Sequence, residues 1–185
     1  VNTRFENTDF INGSNSIYYY GSSAAYDTGF TVLNCKLINP YYRGMYSYYQ
    51  ENPAIIGNEL TSSSTYTFGY GLQCYDFSGG DLKVNGNYLY SQPAVAWPRY
   101  GFYFFRFESS VLDRGEVMGN YVSMPNGGLS GMYLFDLEFI DFKNNSVFLS
   151  DFSSSAEAVY ITQGLAIDFK NNALAGGEGA RPIYV

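Results

Sequence analysis

The chain has no histidine, only two cysteines, and only ten lysines and arginines among its 185 residues. Each shortage narrows the function. Without histidine, one of the usual groups for proton transfer is missing. Ten basic against seventeen acidic residues give a formal charge of −7. No basic stripe is present to meet phosphates, so nucleic acid and anionic membranes are disfavoured partners. An acidic glycan is repelled for the same reason unless calcium bridges it, which leaves a neutral glycan as the better match. No run of 18 apolar residues exists, so no segment reads as a membrane-spanning helix. The opening VNTRFENTDF does not have the form of a signal peptide. Charged residues make up 15% of the chain and hydrophobic ones 46%, a balance that suits one domain over residues 1–185 with a continuous core.

What the chain does have is a repeat. Seven anchors, Thr8, Cys35, Asn58, Asn87, Asn120, Asn145 and Asn172, recur at intervals of 23 to 33 residues. Three residues before each stand Phe5, Val32, Ile55, Val84, Val117, Phe142 and Phe169. Two residues after each stand Phe10, Leu37, Leu60, Leu89, Val122, Val147 and Leu174. All fourteen are apolar, which marks a solenoid built coil by coil. The flanks are rich in β-branched, aromatic, Gly and Asn residues, and no segment holds a 3.6-residue period, so the coils are strands rather than helices.

A second phrase begins at Ile17, Met45, Leu72, Phe102, Met132, Val159 and Ile183. Two strands per period, each in register with its copies, predict parallel ladders at a spacing of about 4.8 Å. The fold expected is an all-β parallel β-helix of about seven coils. Long turns between strands absorb the unequal periods, as in SSSTYTFGYG and SQPAVAWPRYG. No capping element flanks the first or last phrase, so the chain reads as a piece of a longer protein. The anchor Asn residues are expected to take left-handed backbone angles at a turn and to bond amide to amide between coils. Cys35, at an anchor, and Cys74, inside the second strand, are expected on different faces as buried free thiols, with a bridge as the alternative. Cysteine usage therefore does not decide the redox compartment.

The turns GNEL, GNYL, GNYV, KNNSVF and KNNAL, followed by strands such as GLQC, GFYF and GMYL, resemble the repeats of right-handed parallel β-helix proteins of the pectate-lyase-like superfamily. The resemblance covers essentially the whole chain and implies the right-handed architecture. Its chemistry is open, because that superfamily includes lyases, glycoside hydrolases, esterases, phage tailspikes and non-catalytic adhesins. Enzymes of this kind imply clustered carboxylates along one sheet, often with calcium, and an Arg, Lys or His. Here no aligned column of aspartates appears to flank a glycosidic bond. The best catalytic candidates are Arg99, Arg106, Asp76, Asp81, Asp113 and Arg114, each with a plainer reading as a solvated turn residue. In DFSGGD, Asp76 and Asp81 around Gly79-Gly80 form a weak calcium motif. No cofactor and no firm metal site is expected.

Alternation in the second phrase turns aliphatic residues inward and their neighbours outward. The outward residues form two columns. Tyr18, Tyr46, Gln73, Tyr103, Tyr133, Tyr160 and Tyr184 make the first, and Tyr20, Tyr48, Tyr75, Phe105, Phe135 and Thr162 the second. Eleven of these thirteen are aromatic, against 19% in the chain as a whole, so the enrichment needs a cause. Three causes compete: packing of the sheet beneath turns, another segment of the protein or a second copy; a glycan-binding face; and the subsites of an enzyme. The binding residues expected on the second view are Tyr18, Tyr20, Tyr46, Tyr48, Tyr75, Tyr103, Phe105, Tyr133, Phe135 and Tyr160, with Trp97 in its long turn as a further platform. The aromatic-walled, histidine-free pattern is similar by analogy to tapirins, cellulose-binding adhesins whose binding domain is a β-helix. The expectation is thus a non-catalytic polysaccharide-binding or adhesion module, extracellular or on the cell surface, taking a neutral glycan such as cellulose. The alternatives are part of a polysaccharide lyase or hydrolase, and a self-associating surface or spike segment.

Overall fold

The computed structural model describes residues 2–63, 69–92, 100–150 and 155–185. They form three parallel sheets wound around a common core. The first sheet stacks Arg4–Glu6, Thr31–Leu33, Ala54–Ile56, Lys83–Asn85, Gly115–Met118, Ile140–Lys143 and Asp168–Lys170. The second stacks Asp9–Ile11, Lys36–Ile38, Glu59–Ser62, Tyr88–Ser91, Tyr121–Met124, Ser146–Leu149 and Ala173–Gly176. The third stacks Asn15–Tyr20, Arg43–Glu51, Tyr70–Ser78, Tyr100–Glu108, Ser130–Glu138, Glu157–Thr162 and Arg181–Tyr184. Seven strand levels are joined by about six turns, close to the seven coils expected. Among the described residues no helix is long and apolar enough to cross a membrane.

The expectation of two strands per coil is corrected to three. The residues flanking each anchor do not lie on one strand: Phe5 through Phe169 pair with one another in the first sheet, and Phe10 through Leu174 pair in the second. The anchor is a corner between them. A bend there lets both flanking residues point into one core, which a straight strand with a spacing of five would not allow. The left-handed angle at this corner also belongs one residue earlier than expected, to Asn7, Asn34, Gly57, Gly86, Gly119, Asn144 and Asn171, with φ between 49° and 66°. Asn and Gly tolerate that region at least cost.

Freed from the strained position, the anchor side chain points inward and builds a ladder. The Nδ2 group of Asn120 donates to the Val84 carbonyl (2.7 Å) and to Oδ1 of Asn145 (2.9 Å). Oδ1 of Asn120 accepts from the backbone N–H and the Nδ2 of Asn87, each at 3.0 Å. The same pattern runs from Asn58 to Asn172. It ends at Cys35, whose N–H donates to Asn58 Oδ1. Every polar atom of these buried amides thereby finds a partner inside the wall. Cys35 and Cys74 are both free and buried, and burial pushes the Cys74 thiol well up.

The third sheet closes the coil. Ile17, Met45, Leu72, Phe102, Met132 and Val159 point inward and are buried, as are Cys74, Phe104, Leu134 and Ile161 two residues on. Just before them Gly44, Gly71, Gly101 and Gly131 form a column. A side chain at Gly101 would overlap both the Gly131 carbonyl and the Val122 side chain. The column lets the second and third sheets approach at this corner.

Candidate functional site

The outer face of the third sheet carries the aromatic columns, because inward aliphatics leave their neighbours no other side. Tyr18 and Tyr20 are the most exposed, at 61% and 57%, and Tyr184 is exposed as well. Tyr46, Tyr48, Tyr75, Tyr103, Phe105, Tyr133, Phe135 and Tyr160 are half-buried. Trp97 and Arg99 lie outside the described residues, as do residues 64–68 of the other long turn.

Much of that partial burial comes from the rings themselves. Tyr103 and Tyr133 lie 4.8 Å apart at an interplanar angle of 3°, Tyr133 and Tyr160 4.8 Å apart at 5°, and Tyr160 and Tyr184 5.1 Å apart at 5°. Phe105 stacks on Phe135 at 4.7 Å, and Tyr48 on Tyr75 at 4.5 Å. Each such pair contributes about 0.5–1.5 kcal/mol beyond area burial. Rings stacked at the coil rise cover one another's faces, so most of each column presents ring edges and hydroxyls outward. A free face remains at a column end, as on Tyr18. Around Gln73 the stacking is broken, and Tyr75 tilts by 55° from Tyr46 and 45° from Tyr103.

Gln73 interrupts the first column and is itself 3% exposed. Its amide donates to the Tyr75 hydroxyl at 2.7 Å and accepts from Arg43 Nε. The Arg43 guanidinium lies 4.2 Å from the Tyr42 ring centre and 4.7 Å from that of Tyr46, a cation–π arrangement. Burial raises the phenols of Tyr46, Tyr75, Tyr103 and Tyr133. It pushes Tyr48 up to about 12, with Asp76 adding to the rise. These hydroxyls are therefore neutral over the physiological range and can both donate and accept hydrogen bonds.

Along the edge of the second column the strand turns through a left-handed residue at five successive levels. These are Tyr49, Asp76, Arg106, Asp136 and Gln163, with φ between 54° and 56°. Asp76 is 5% exposed, and its carboxylate holds Arg106 Nε at 2.6 Å and Nη2 at 2.9 Å. Burial raises the Asp76 carboxyl above its ordinary value, and the Arg106 guanidinium only partly offsets this.

The remaining catalytic candidates are not brought together. Asp81 is exposed and pairs with Lys83, Asp113 caps a turn with Ser109 and Ser110, and Arg114 binds Asp141 on the first sheet. Asp76 and Asp81 face different partners rather than a shared centre. Among the described residues no group of three His, Cys, Asp or Glu side chains is placed to hold a metal ion.

The sequence argument did not single out Arg43, Tyr70 and Tyr100, which extend the face along the start of the strands. Tyr70 stacks on Tyr100 at 5.2 Å and meets Tyr103 edge-on. Strand alternation counted back from Met45, Leu72 and Phe102 assigns these positions to the inward side, so the pattern did not offer them. It also missed a smaller pair on the second sheet, Tyr88 and Tyr121, stacked at 5.1 Å. Among families of known proteins, the one described as right-handed beta helix region matches residues 1–176. No curated protein matches the chain, and no solved structure does.

Proposed function

The chain belongs to the right-handed β-helix family, and from that premise we propose that it is a non-catalytic polysaccharide-binding or adhesion module acting at the cell surface or outside the cell. The observation that carries the proposal is the outward aromatic sheet, eleven rings in two columns, nine of them tyrosines, repeated at the coil rise. That repeat of about 4.8 Å is close to one pyranose unit, so a neutral glycan such as cellulose can lie along the columns. Because the rings stack on one another, contact is made chiefly by ring edges and hydroxyls. A ring face contributes at Tyr18. The likeness of architecture and surface chemistry to tapirins is in keeping with this reading.

The test is retention on insoluble cellulose. The double substitution Tyr103→Phe with Tyr133→Phe keeps the stack and removes two hydroxyls, and should weaken retention several-fold without lowering the melting temperature. Tyr103→Ala with Tyr133→Ala should abolish retention while far-UV circular dichroism still shows a folded β-protein. Retention unchanged in both variants would sink the proposal.

A further inference from the structure

Two corners of this solenoid make the same backbone demand and meet it with different residues. Between the first and second sheets the left-handed position is filled at every level by Asn or Gly, the residues that adopt it with least strain. Beside the second aromatic column it is filled by Tyr49, Asp76, Arg106, Asp136 and Gln163, of which only the two aspartates share the tolerance of Asn for that region. The corner that follows mixes Asn52 and Gly79 with Phe139 and Ala166. A left-handed backbone kept through five consecutive levels, at a cost in strain for Tyr49, Arg106 and Gln163, calls for a return from the side chains.

For the first three residues that return is visible. The Tyr49 ring packs at 4.6 Å on Tyr48 and at 5.6 Å on Tyr20. Asp76 and Arg106 neutralise each other, with the guanidinium 5.1 Å from the Phe105 ring centre. Asp136 and Gln163 continue the row beside Phe135 and Thr162, and neither side chain has a hydrogen-bond or ion-pair partner among the described residues. Asp136 is half-buried and Gln163 exposed. They hold an acceptor carboxylate and an amide at the coil rise, along the edge where the aromatic ladder gives way from Phe135 to Thr162.

Resting on the glycan-binding reading above, we infer that this left-handed row is the polar rim of the binding face, and that Asp136 and Gln163 fix the register of a neutral, hydroxyl-rich polysaccharide lying along the solenoid axis. A carboxylate accepts from paired sugar hydroxyls, and the Gln amide both donates and accepts, so each can meet hydroxyls without a counter-charge. A uronate-bearing polymer is turned away at Asp136 by like charge.

The deciding experiment replaces both residues by glycine, alone and together, and measures retention on microcrystalline cellulose beside the melting temperature. Glycine removes the strain and the side chain at once. The inference therefore expects each midpoint to stay level or rise by about 2 °C, while retention of the double variant weakens at least ten-fold. Asp136→Asn, which keeps an acceptor, should recover part of it. Retention at the parent level in the double variant overturns the rim while leaving the aromatic platform standing. A fall in melting temperature also overturns it, since the side chains would then be serving the fold. A parent protein that binds no cellulose removes the glycan-binding reading and the rim with it.

Discussion

Removing one amide from the middle of the ladder tests how the coils are held together. In Asn120→Ala the carboxamide lost is 1% exposed at the residue level, so water does not readily take its place. The Asn87 backbone N–H and one Asn87 Nδ2 hydrogen lose their acceptor, and the Val84 carbonyl loses a donor. Asn145 Oδ1 keeps the Asn120 N–H. Three buried polar groups are thus stranded, at about 1–3 kcal/mol each. Allowing for partial relaxation, the expected loss is about 3–5 kcal/mol, or about 10 °C in melting temperature for a chain of this size. The matched control is Asn172→Ala at the half-buried end of the ladder, where solvent can satisfy the freed groups and the cost should fall to about 1 kcal/mol. Urea unfolding of both variants, followed by far-UV circular dichroism, reads the difference. Equal losses at the two positions, or a loss below about 1 kcal/mol at Asn120, would refute the claim that the ladder is a buried, cooperative hydrogen-bond chain.

Gly101→Ala should be costly although the residue is not in the left-handed region, because the added methyl overlaps the Gly131 carbonyl and the Val122 side chain. A loss of about 2–3 kcal/mol is expected from overpacking, and urea unfolding of Gly101→Ala beside the parent would measure it. At the first sheet, burial alone would raise the Asp141 carboxyl, but Lys143 and Arg114 outweigh it and hold it below its ordinary value. Its contribution is present above the unfolded carboxylate range and is lost as pH falls through the lowered folded value. Asp141→Asn should therefore cost about 1 kcal/mol near neutrality, and denaturation over a pH series should show the gap to the parent closing as pH falls below the ordinary carboxylate range. Asp76, raised by burial despite Arg106, works in the opposite sense, its share of stability falling as pH rises through its folded value.

Those energetic features were legible to different degrees. The inward residues were, because both sides of each anchor are constrained to be apolar and strand alternation fixes which side chains face out; Val84 and Leu89, or Phe102 and Phe104, could hardly be placed elsewhere. The split of each anchor phrase between the first and second sheets was harder to find. The span from Val84 to Leu89 is five residues, which looks like one strand until a left-handed residue such as Gly86 is placed inside it. A single positive φ resets the in-out alternation, and periodicity alone does not carry that information. The same device explains the incomplete view of the outer face. Tyr49, Asp76, Arg106, Asp136 and Gln163 sit where parity changes, so counting by twos from the strand start cannot assign them a side. Ring orientation was beyond the pattern too. Outward parity places Tyr103 and Tyr133 on the surface, yet it is the ladder spacing acting on neighbouring copies that turns their planes onto one another. The aromatic wall is therefore a stabilising stack first, and what it offers outward is a hydroxyl-tipped edge bordered by strained polar residues. A glycan bound as proposed would meet those edges rather than ring faces.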